Sequence, residues 1–314
     1  MAILLATNKS AAASTVEAWR QALLAVDPGL DIRGHADALD PGGIDVVVMW
    51  GAQDLAALRA YPNLKLICSM GAGVDHLMRP PGPPPGVPVA RLKDVRLTTG
   101  MTEWVLLNVL RFHRQDLDYR AQQAARIWDE LPAPDTAGRR IGILGLGELG
   151  TASARALMAL GFPVMGWSRG PKAIDGVRGF HGPDGLAAML PQADILVCLL
   201  PLTPDTRGVL NARTLGLLPR GAFLVNGARG GHVVQPDLLA ALDSGQVAAA
   251  ALDVFEPEPL PADHPFWGHP RVVMTPHAAS ITIPQSAAPQ VVDNIRRARD
   301  GRPVLNLVDF TLGY

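Results

Sequence analysis

Short apolar runs alternate along the N-terminal part of the chain with a stretch whose apolar positions recur every three or four residues. Ile3 to Ala6, Ile44 to Trp50 and Leu64 to Ser69 have strand length, Ser14 to Ala25 has helical spacing, and Asp54 to Ala60 separates two of the runs. Such alternation predicts a parallel sheet with helices packed on it, because a parallel crossover needs a covering element. Six prolines between Arg79 and Pro88 exclude a regular element and predict an exposed, extended loop. From Thr98 to Trp128 the chain carries no proline, and Trp104, Val105, Leu107, Val109 and Leu110 fall at helical spacing. This predicts one long helix, broken by Pro132, Pro134 and Gly138. A second strand and helix series follows, with strands expected at Arg140 to Leu144, Phe162 to Trp167, Ile195 to Leu200, Ala222 to Asn226, Ala248 to Val254 and Arg271 to Thr275. Six strands with helical segments between them describe a doubly wound sheet. A last helix is expected from Pro284 to about Asp300, with the tail rejoining the N-terminal part. Residues 1–98 and 284–314 are thus read as one discontinuous domain around a second, 99–283.

Gly145-Leu146-Gly147-Glu148-Leu149-Gly150 stands between the run ending at Leu144 and the helical stretch Thr151 to Leu160. Three glycines at this spacing are common by chance. Between a strand and a helix, with another strand at once behind, they predict a dinucleotide site. Gly145 permits the tight turn, Gly147 lets the backbone approach a pyrophosphate, and Gly150 lets helix and strand pack closely. Glu148 and Leu149 belong to the same binding loop, at the positive end of the helix.

Members of this fold that select NAD place Asp or Glu at the end of the second strand. Here Trp167-Ser168-Arg169 takes that place, with Lys172 beyond it. No carboxylate repels a 2'-phosphate, and a guanidinium can bind one through two bonds. NADP(H) is therefore the expected cofactor, with NAD(H) accepted less readily. The alternative is that Arg169 is a solvated turn residue.

Three ionisable residues follow late strands of the same series, where the carboxyl ends of parallel strands form a ligand crevice. Arg229 follows Phe223 to Asn226, Glu258 follows Leu252 to Phe255 within a proline-rich loop, and His277 follows Val272 to Pro276. Singly, each would be read as a surface or capping residue. Together, at one edge of a dinucleotide fold, they match the needs of ketone reduction by hydride, which creates an alkoxide requiring a proton donor and a facing positive charge. Histidine suits the donor role, a neighbouring carboxylate orients it and favours its charged form, and arginine can grip a substrate carboxylate and polarise the carbonyl.

Asn226-Gly227-Ala228-Arg229-Gly230, Leu252-Asp253-Val254-Phe255-Glu256-Pro257-Glu258-Pro259-Leu260 and Thr275-Pro276-His277 resemble, in order and spacing, the signatures of the D-isomer-specific 2-hydroxyacid dehydrogenases. The likeness spans essentially the whole chain. It is strongest to the glyoxylate/hydroxypyruvate reductase A branch, through Met70 to Asp75, Arg91 to Asp94, Trp167-Ser168-Arg169 and Asp237 to Gly245. The resemblance implies an α/β fold: a Rossmann-type doubly wound dinucleotide-binding domain plus a smaller flavodoxin-like substrate domain formed by both chain ends. It implies catalysis by Arg229, Glu258 and His277, with NADPH giving hydride to a small 2-oxo acid and His277 giving the proton. It implies cofactor contacts at Leu200, Pro201, Thr206, Asn226, Ala228, Asp253 and His277, Asp253 lying near the nicotinamide. Trp50, Gly71, Ala72, Gly73 and Arg229 are the expected substrate contacts. Glycines in the Gly71-Ala72-Gly73 turn expose backbone N–H groups on which a carboxylate can sit. A homodimer is implied, with the long helix near residue 101 at its interface. Many members carry Asn where this chain has Arg91-Leu92, so contacts in that loop do not transfer. Two alternatives stay open: a dehydrogenase for lactate, a longer 2-hydroxy acid or phosphoglycerate, and a non-catalytic NAD(P)-sensing binding protein of the corepressor type.

Composition narrows the partners. Hydrophobic residues make up 48% and charged residues 18%, and the formal net charge is -1. That describes a folded chain without the basic excess that nucleic acid or an anionic membrane demands. Cys68 and Cys198 sit in apolar runs and are read as buried, reduced thiols. The opening Met-Ala-Ile-Leu-Leu-Ala-Thr is brief and has no basic leader, and no run approaches the ~20 apolar residues of a membrane helix, so a cytoplasmic location is expected. His264, His269 and His277 lack metal-ligand spacing, and no metal is expected. Arg296, Arg297, Arg299 and Arg302 are read as a solvated helix terminus, and Phe266 and Trp267 as core.

Overall fold

The apolar runs become strands because their Val, Ile and Leu side chains pack well on a pleated, covered surface. The structure, a computed structural model, describes residues 1–7, 13–34, 37, 40–51 and 55–313. Asp54, where the segment Asp54 to Ala60 starts, lies outside them. The chain forms two compact units, Met1–Leu97 with Ile281–Tyr314, and Thr98–Ser280.

In the first unit the elements are β1 (Ala2–Thr7), α1 (Ala13–Val26), β2 (Ile32–Gly34), β3 (Ile44–Trp50), β4 (Leu66–Ser69) and β5 (Val89–Ala90). Among the described residues these strands form a parallel sheet in the order β2-β1-β3-β4-β5, the flavodoxin-like arrangement. Trp19 and Leu23 of α1, with Val291 and Ile295 of the C-terminal helix Pro284–Arg299, cover Ile3, Val46 and Leu66. Leu58, Leu77 and Val308 cover Leu4 and Val47 on the other face. The edge strands β2 and β5 escape a search for apolar runs, since each is three residues or fewer. The reading of Arg299 as solvated needs correction. Its guanidinium bonds both carboxylate oxygens of Asp45, at 2.8 and 2.9 Å, and the Met1 carbonyl at 3.0 Å. Asp45 is only 1% exposed, and a buried carboxylate requires a cation beside it. Arg296, Arg297 and Arg302 pair with Asp27, Asp293 and Asp300.

Helix α2 (Val95–His113) carries the chain into the second unit. There follow α3 (Asp116–Ala125), β6 (Ile141–Leu144), α4 (Glu148–Ala159), β7 (Val164–Ser168), β8 (Arg178–His181), α5 (Gly182–Met189) and β9 (Ile195–Cys198). The series ends with α6 (Ala212–Gly216), β10 (Ala222–Asn226), α7 (Gln235–Asp243), β11 (Val247–Leu252) and β12 (Val272–Met274). The single long helix is in fact two. Gln115 takes a left-handed φ of 58° between α2 and α3, and α3 stops at Ala125 before Arg126, φ 57°. No residue of α3 is buried, so no packing demands a straight continuation. Seven strands, not six, form the second sheet among the described residues, all parallel, in the order β12-β11-β10-β9-β6-β7-β8. The extra strand β8, Arg-Gly-Phe-His, lies on the edge, is largely exposed and carries no apolar pattern. Phe266 is 1% exposed, as expected of core, but Trp267 is 59% exposed, with its indole N–H on the Pro261 carbonyl at 2.9 Å. The 3-10 turn Pro265–Gly268 points these successive side chains in different directions.

Both cysteines are buried and free, and burial pushes each thiol up to about 12. Among the described residues no helix is long and apolar enough to cross a membrane, and no group of three His, Cys, Asp or Glu side chains could hold a metal ion.

Candidate active site

Because every strand of the second sheet is parallel, all its carboxyl ends lie along one edge. The order reverses between β6 and β9, the point where such sheets open a crevice. The glycine loop leaves β6 at this point. Gly145 has φ 99°, and a Cβ there would lie 2.7 Å from the Leu199 carbonyl oxygen. A Cβ on Gly150 would lie 1.8 Å from the Gly145 oxygen. These two glycines serve the protein's own turn and helix packing. Gly147 differs: nothing lies within 4 Å of its Cβ position, and no side chain caps the start of α4 there. Open space in front of a helix N-terminus is what a pyrophosphate needs, so the loop fits a dinucleotide. Beyond β7, the Ser168 hydroxyl donates to the Gly170 carbonyl at 2.8 Å, and Arg169 is exposed. The Lys172 ammonium donates to the Leu146 carbonyl, tying this turn to the glycine loop.

Arg229, Glu258 and His277 follow β10, β11 and β12, which are neighbours in the sheet. Nδ1 of His277 donates to Oε2 of Glu258 at 2.8 Å. Oε1 of Glu258 accepts the Phe255 N–H at 2.9 Å. Burial alone would raise the Glu258 pKa, but the His277 bond, the Phe255 N–H and the charges of His277 and Arg229 outweigh it. The carboxyl lies below its ordinary value. Both side chains of the pair remain about one-third exposed, 38% for His277 and 35% for Glu258, within reach of a ligand.

The backbone beneath this set is tightly specified. Asn226, fully buried, donates to the Arg229 carbonyl at 3.1 Å and accepts the Ala228 N–H at 3.2 Å, closing the turn that presents Arg229. A Cβ on Gly230 would lie 2.0 Å from the Phe255 carbonyl carbon, so the Arg229 loop presses its backbone against the Glu258 loop. Arg207 bonds Glu256 at 2.6 Å, and the Gln235 side chain bonds the Glu256 carbonyl at 2.6 Å, pinning that second loop. His277 has φ 53°, an uncommon conformation for a residue with a side chain. Its N–H bonds the Asp253 carbonyl at 2.7 Å. One carboxylate oxygen of Asp253 accepts the Thr275 hydroxyl at 2.5 Å and the N–H groups of Ala278 and Ala279 at 2.8 and 3.0 Å. Trp104 of α2 donates to the same Thr275 hydroxyl at 3.1 Å. Asp253, 1% exposed, thus holds the His277 loop in shape. On the neighbouring loop after β9, the Thr206 hydroxyl donates to the Pro201 carbonyl at 2.7 Å and accepts the Thr203 N–H at 2.9 Å; Leu200 is buried.

Trp50 and the Gly71 to Gly73 turn belong to the first unit and are described within it. A Cβ on Gly71 would lie 2.2 Å from the Trp50 ring, whose edge also meets His76 with ring centroids 5.2 Å apart. The Gly71 N–H donates to the Ser69 hydroxyl at 3.2 Å. Glycine is therefore required at 71 by the indole, and the expected anion-binding N–H groups reduce to those of Ala72 and Gly73. Sequence reasoning passed over Gly231, Arg207 and His232, and took Gly230, Glu256 and Thr275 only as parts of signatures, without a role of their own. The glycine pair after Arg229, followed by a histidine in an apolar run, was the available signal.

Residues 106–279 match the family profile described as D-isomer specific 2-hydroxyacid dehydrogenase, NAD binding domain. The chain is 45% identical over 276 residues to a glyoxylate/hydroxypyruvate reductase A of Yersinia enterocolitica, covering 86% of this chain and 88% of the relative. It is similar to the crystal structure of a D-isomer specific 2-hydroxyacid dehydrogenase of Xanthobacter autotrophicus in complex with NADPH and MES. The TM-score is 0.93 at 44% identity, over 100% of this chain and 99% of the other. An NADPH-dependent glyoxylate/hydroxypyruvate reductase of Sinorhizobium meliloti, in complex with NADP and sulfate, matches with a TM-score of 0.91 at 39% identity over the full length of both chains.

Proposed function

The chain belongs to the D-isomer-specific 2-hydroxyacid dehydrogenase family, and on that footing we propose that it reduces glyoxylate, hydroxypyruvate or a similarly small 2-oxo acid to the 2-hydroxy acid with NADPH. One observation carries the reading: His277 and Glu258 are bonded at 2.8 Å at the edge of a dinucleotide fold, with Arg229 close enough to bias the carboxylate.

Bound NADPH supplies hydride to the carbonyl carbon. Glu258 occupies Nδ1 of His277 and fixes the ring, which leaves Nε2 to hold the proton and deliver it to the nascent alkoxide. Ionised Glu258 also stabilises the imidazolium before transfer. Arg229 grips the substrate carboxylate and draws electron density from the carbonyl. Asp253 keeps the His277 backbone in its left-handed turn, and Asn226 does the same for the Arg229 turn. The Gly145–Gly150 loop, Glu148 and Leu149 included, holds the pyrophosphate, and Ser168, Arg169 and Lys172 form the 2'-phosphate side. Leu200, Pro201, Thr206 and Ala228 would line the cofactor from the ends of β9 and β10, while Asn226, fully buried, would act through the turn it closes. In the first unit, Ala72 and Gly73 offer N–H groups to a carboxylate beside the Trp50 wall. The homodimer that the family resemblance implies is supported by Leu107, Ile127 and Trp128, exposed on and beyond α2 and α3, and light scattering would check it.

The decisive experiment crosses NADPH and NADH against glyoxylate, hydroxypyruvate, pyruvate and 2-oxoisovalerate in steady state. The highest kcat/KM is expected for NADPH with one of the first two acids. No cofactor oxidation with any acid, or a preference for 2-oxoisovalerate, would overturn the reading.

A further inference from the structure

We infer that His232 is a positioning residue that ties the Arg229 loop to the cofactor loop after β9, an inference that rests on the function proposed above. His232 ends the 3-10 turn Gly230–His232 and is 0% exposed. Its Nδ1 lies 3.1 Å from the Arg229 carbonyl oxygen and its Nε2 lies 3.3 Å from the Pro201 carbonyl oxygen. A carbonyl only accepts, so each contact is a bond when the facing nitrogen carries hydrogen. A neutral ring always bonds one of the two, and a protonated ring bonds both. Burying an imidazole costs free energy that an apolar side chain would not, and hydrogen bonds to carbonyls such as these offset it.

Both carbonyls belong to backbone that the site depends on. The Arg229 oxygen also accepts from the Asn226 side chain at 3.1 Å and from the His232 N–H at 3.3 Å, so it is the hub of the turn presenting the guanidinium. The Pro201 oxygen also accepts the Thr206 hydroxyl at 2.7 Å, the bond that closes the loop after β9. His232 stands between them, bridging loops that leave adjacent parallel strands. With hydrogen on both nitrogens the ring holds the backbone under the substrate-gripping arginine from one side and the cofactor loop from the other, and the proposal is that it does both.

Two substitutions separate the two nitrogens, because an asparagine amide reaches the place of Nδ1 and a glutamine amide the place of Nε2. His232→Asn is expected to keep kcat and the oxo-acid KM within about twofold while raising the NADPH dissociation constant about tenfold, the effect of one lost buried hydrogen bond. His232→Gln is expected to do the reverse, leaving NADPH binding unchanged and raising the oxo-acid KM about tenfold. His232→Leu should show both defects. Wild-type constants in either polar variant, or the same defect in both, would overturn the proposal. NADPH dissociation constants measured without substrate test the Pro201 side whichever acid the enzyme uses, so a wrong substrate assignment and a wrong role for His232 give different results. Should the variants fail to fold, nitrogen NMR of the wild-type ring decides. Two ring N–H groups protected from exchange, one of which shifts on adding NADP, support the link; fewer than two, or no shift, overturn it.

Discussion

Gly230→Ala adds one methyl group at the place where the Arg229 and Glu258 loops meet. The new Cβ would lie 2.0 Å from the Phe255 carbonyl carbon, 2.2 Å from its oxygen and 2.5 Å from the Glu256 nitrogen. Ordinary contact begins near 3.4 Å, and all three neighbours are backbone atoms with no rotamer through which to retreat. The φ of Gly230 is not among the positive values, so contact rather than backbone conformation sets the cost. The loops must part by about 1 Å or more, at an overpacking cost of roughly 1–3 kcal/mol. A displacement of that size between an arginine and the acid–base pair it works with costs on the order of a hundredfold in rate. Steady-state reduction of glyoxylate with NADPH, thermal unfolding and the NADPH dissociation constant should be measured together. We expect kcat/KM to fall about a hundredfold in a protein that still folds and binds NADPH within about threefold of wild type. Gly216→Ala is the control, since nothing lies within 4 Å of its Cβ position in α6, and it should be neutral or stabilising by about 0.4–1 kcal/mol. Unchanged kinetics and melting for Gly230→Ala would show that the two loops are not pressed together and would remove the argument.

Gly147→Ala should separate folding from binding: its Cβ meets nothing in the protein and its φ of -68° suits alanine, so melting should hold while the NADPH KM rises at least about tenfold; equal NADPH affinity would show that phosphate does not approach there. Arg169→Ala should raise the NADPH KM by about tenfold to a hundredfold and leave the NADH KM alone, and an unchanged ratio of the two would rule out a 2'-phosphate contact. His277→Asn should lower kcat by roughly 10²–10⁴ with NADPH binding intact, and a smaller loss would assign the proton to another group. Because the folded Glu258 carboxyl sits below its ordinary pKa, its ionised form contributes stability above that ordinary value and loses it as pH falls through the folded value. Melting curves of wild type and Glu258→Gln should therefore differ at neutral pH and converge in acid, whereas a difference independent of pH would contradict the His277 bond.

Local pattern was enough for most strands, for the glycine loop and for the three residues that follow β10, β11 and β12. Apolar run length reports a covered strand, and glycine spacing between a strand and a helix reports a turn. The same pattern is silent where an element buries little, which is why exposed β8 and the break at Gln115 went unseen. It is silent, too, about partners distant in the chain. Nothing near Arg299 announces a buried Asp45, and nothing near Trp267 separates it from buried Phe266.

What the amino-acid order determined alone is which segments can be strands and which side chains stand just beyond their ends. Strand order, a product of pairings between remote segments, decided that β10, β11 and β12 are neighbours and so brought Arg229, Glu258 and His277 to one edge. Only packing in three dimensions made Gly230 a point of backbone contact, set Asp253 under the His277 turn, and placed His232 between two carbonyls. Such contacts depend on the summed path of the chain through space, which no short window of residues contains.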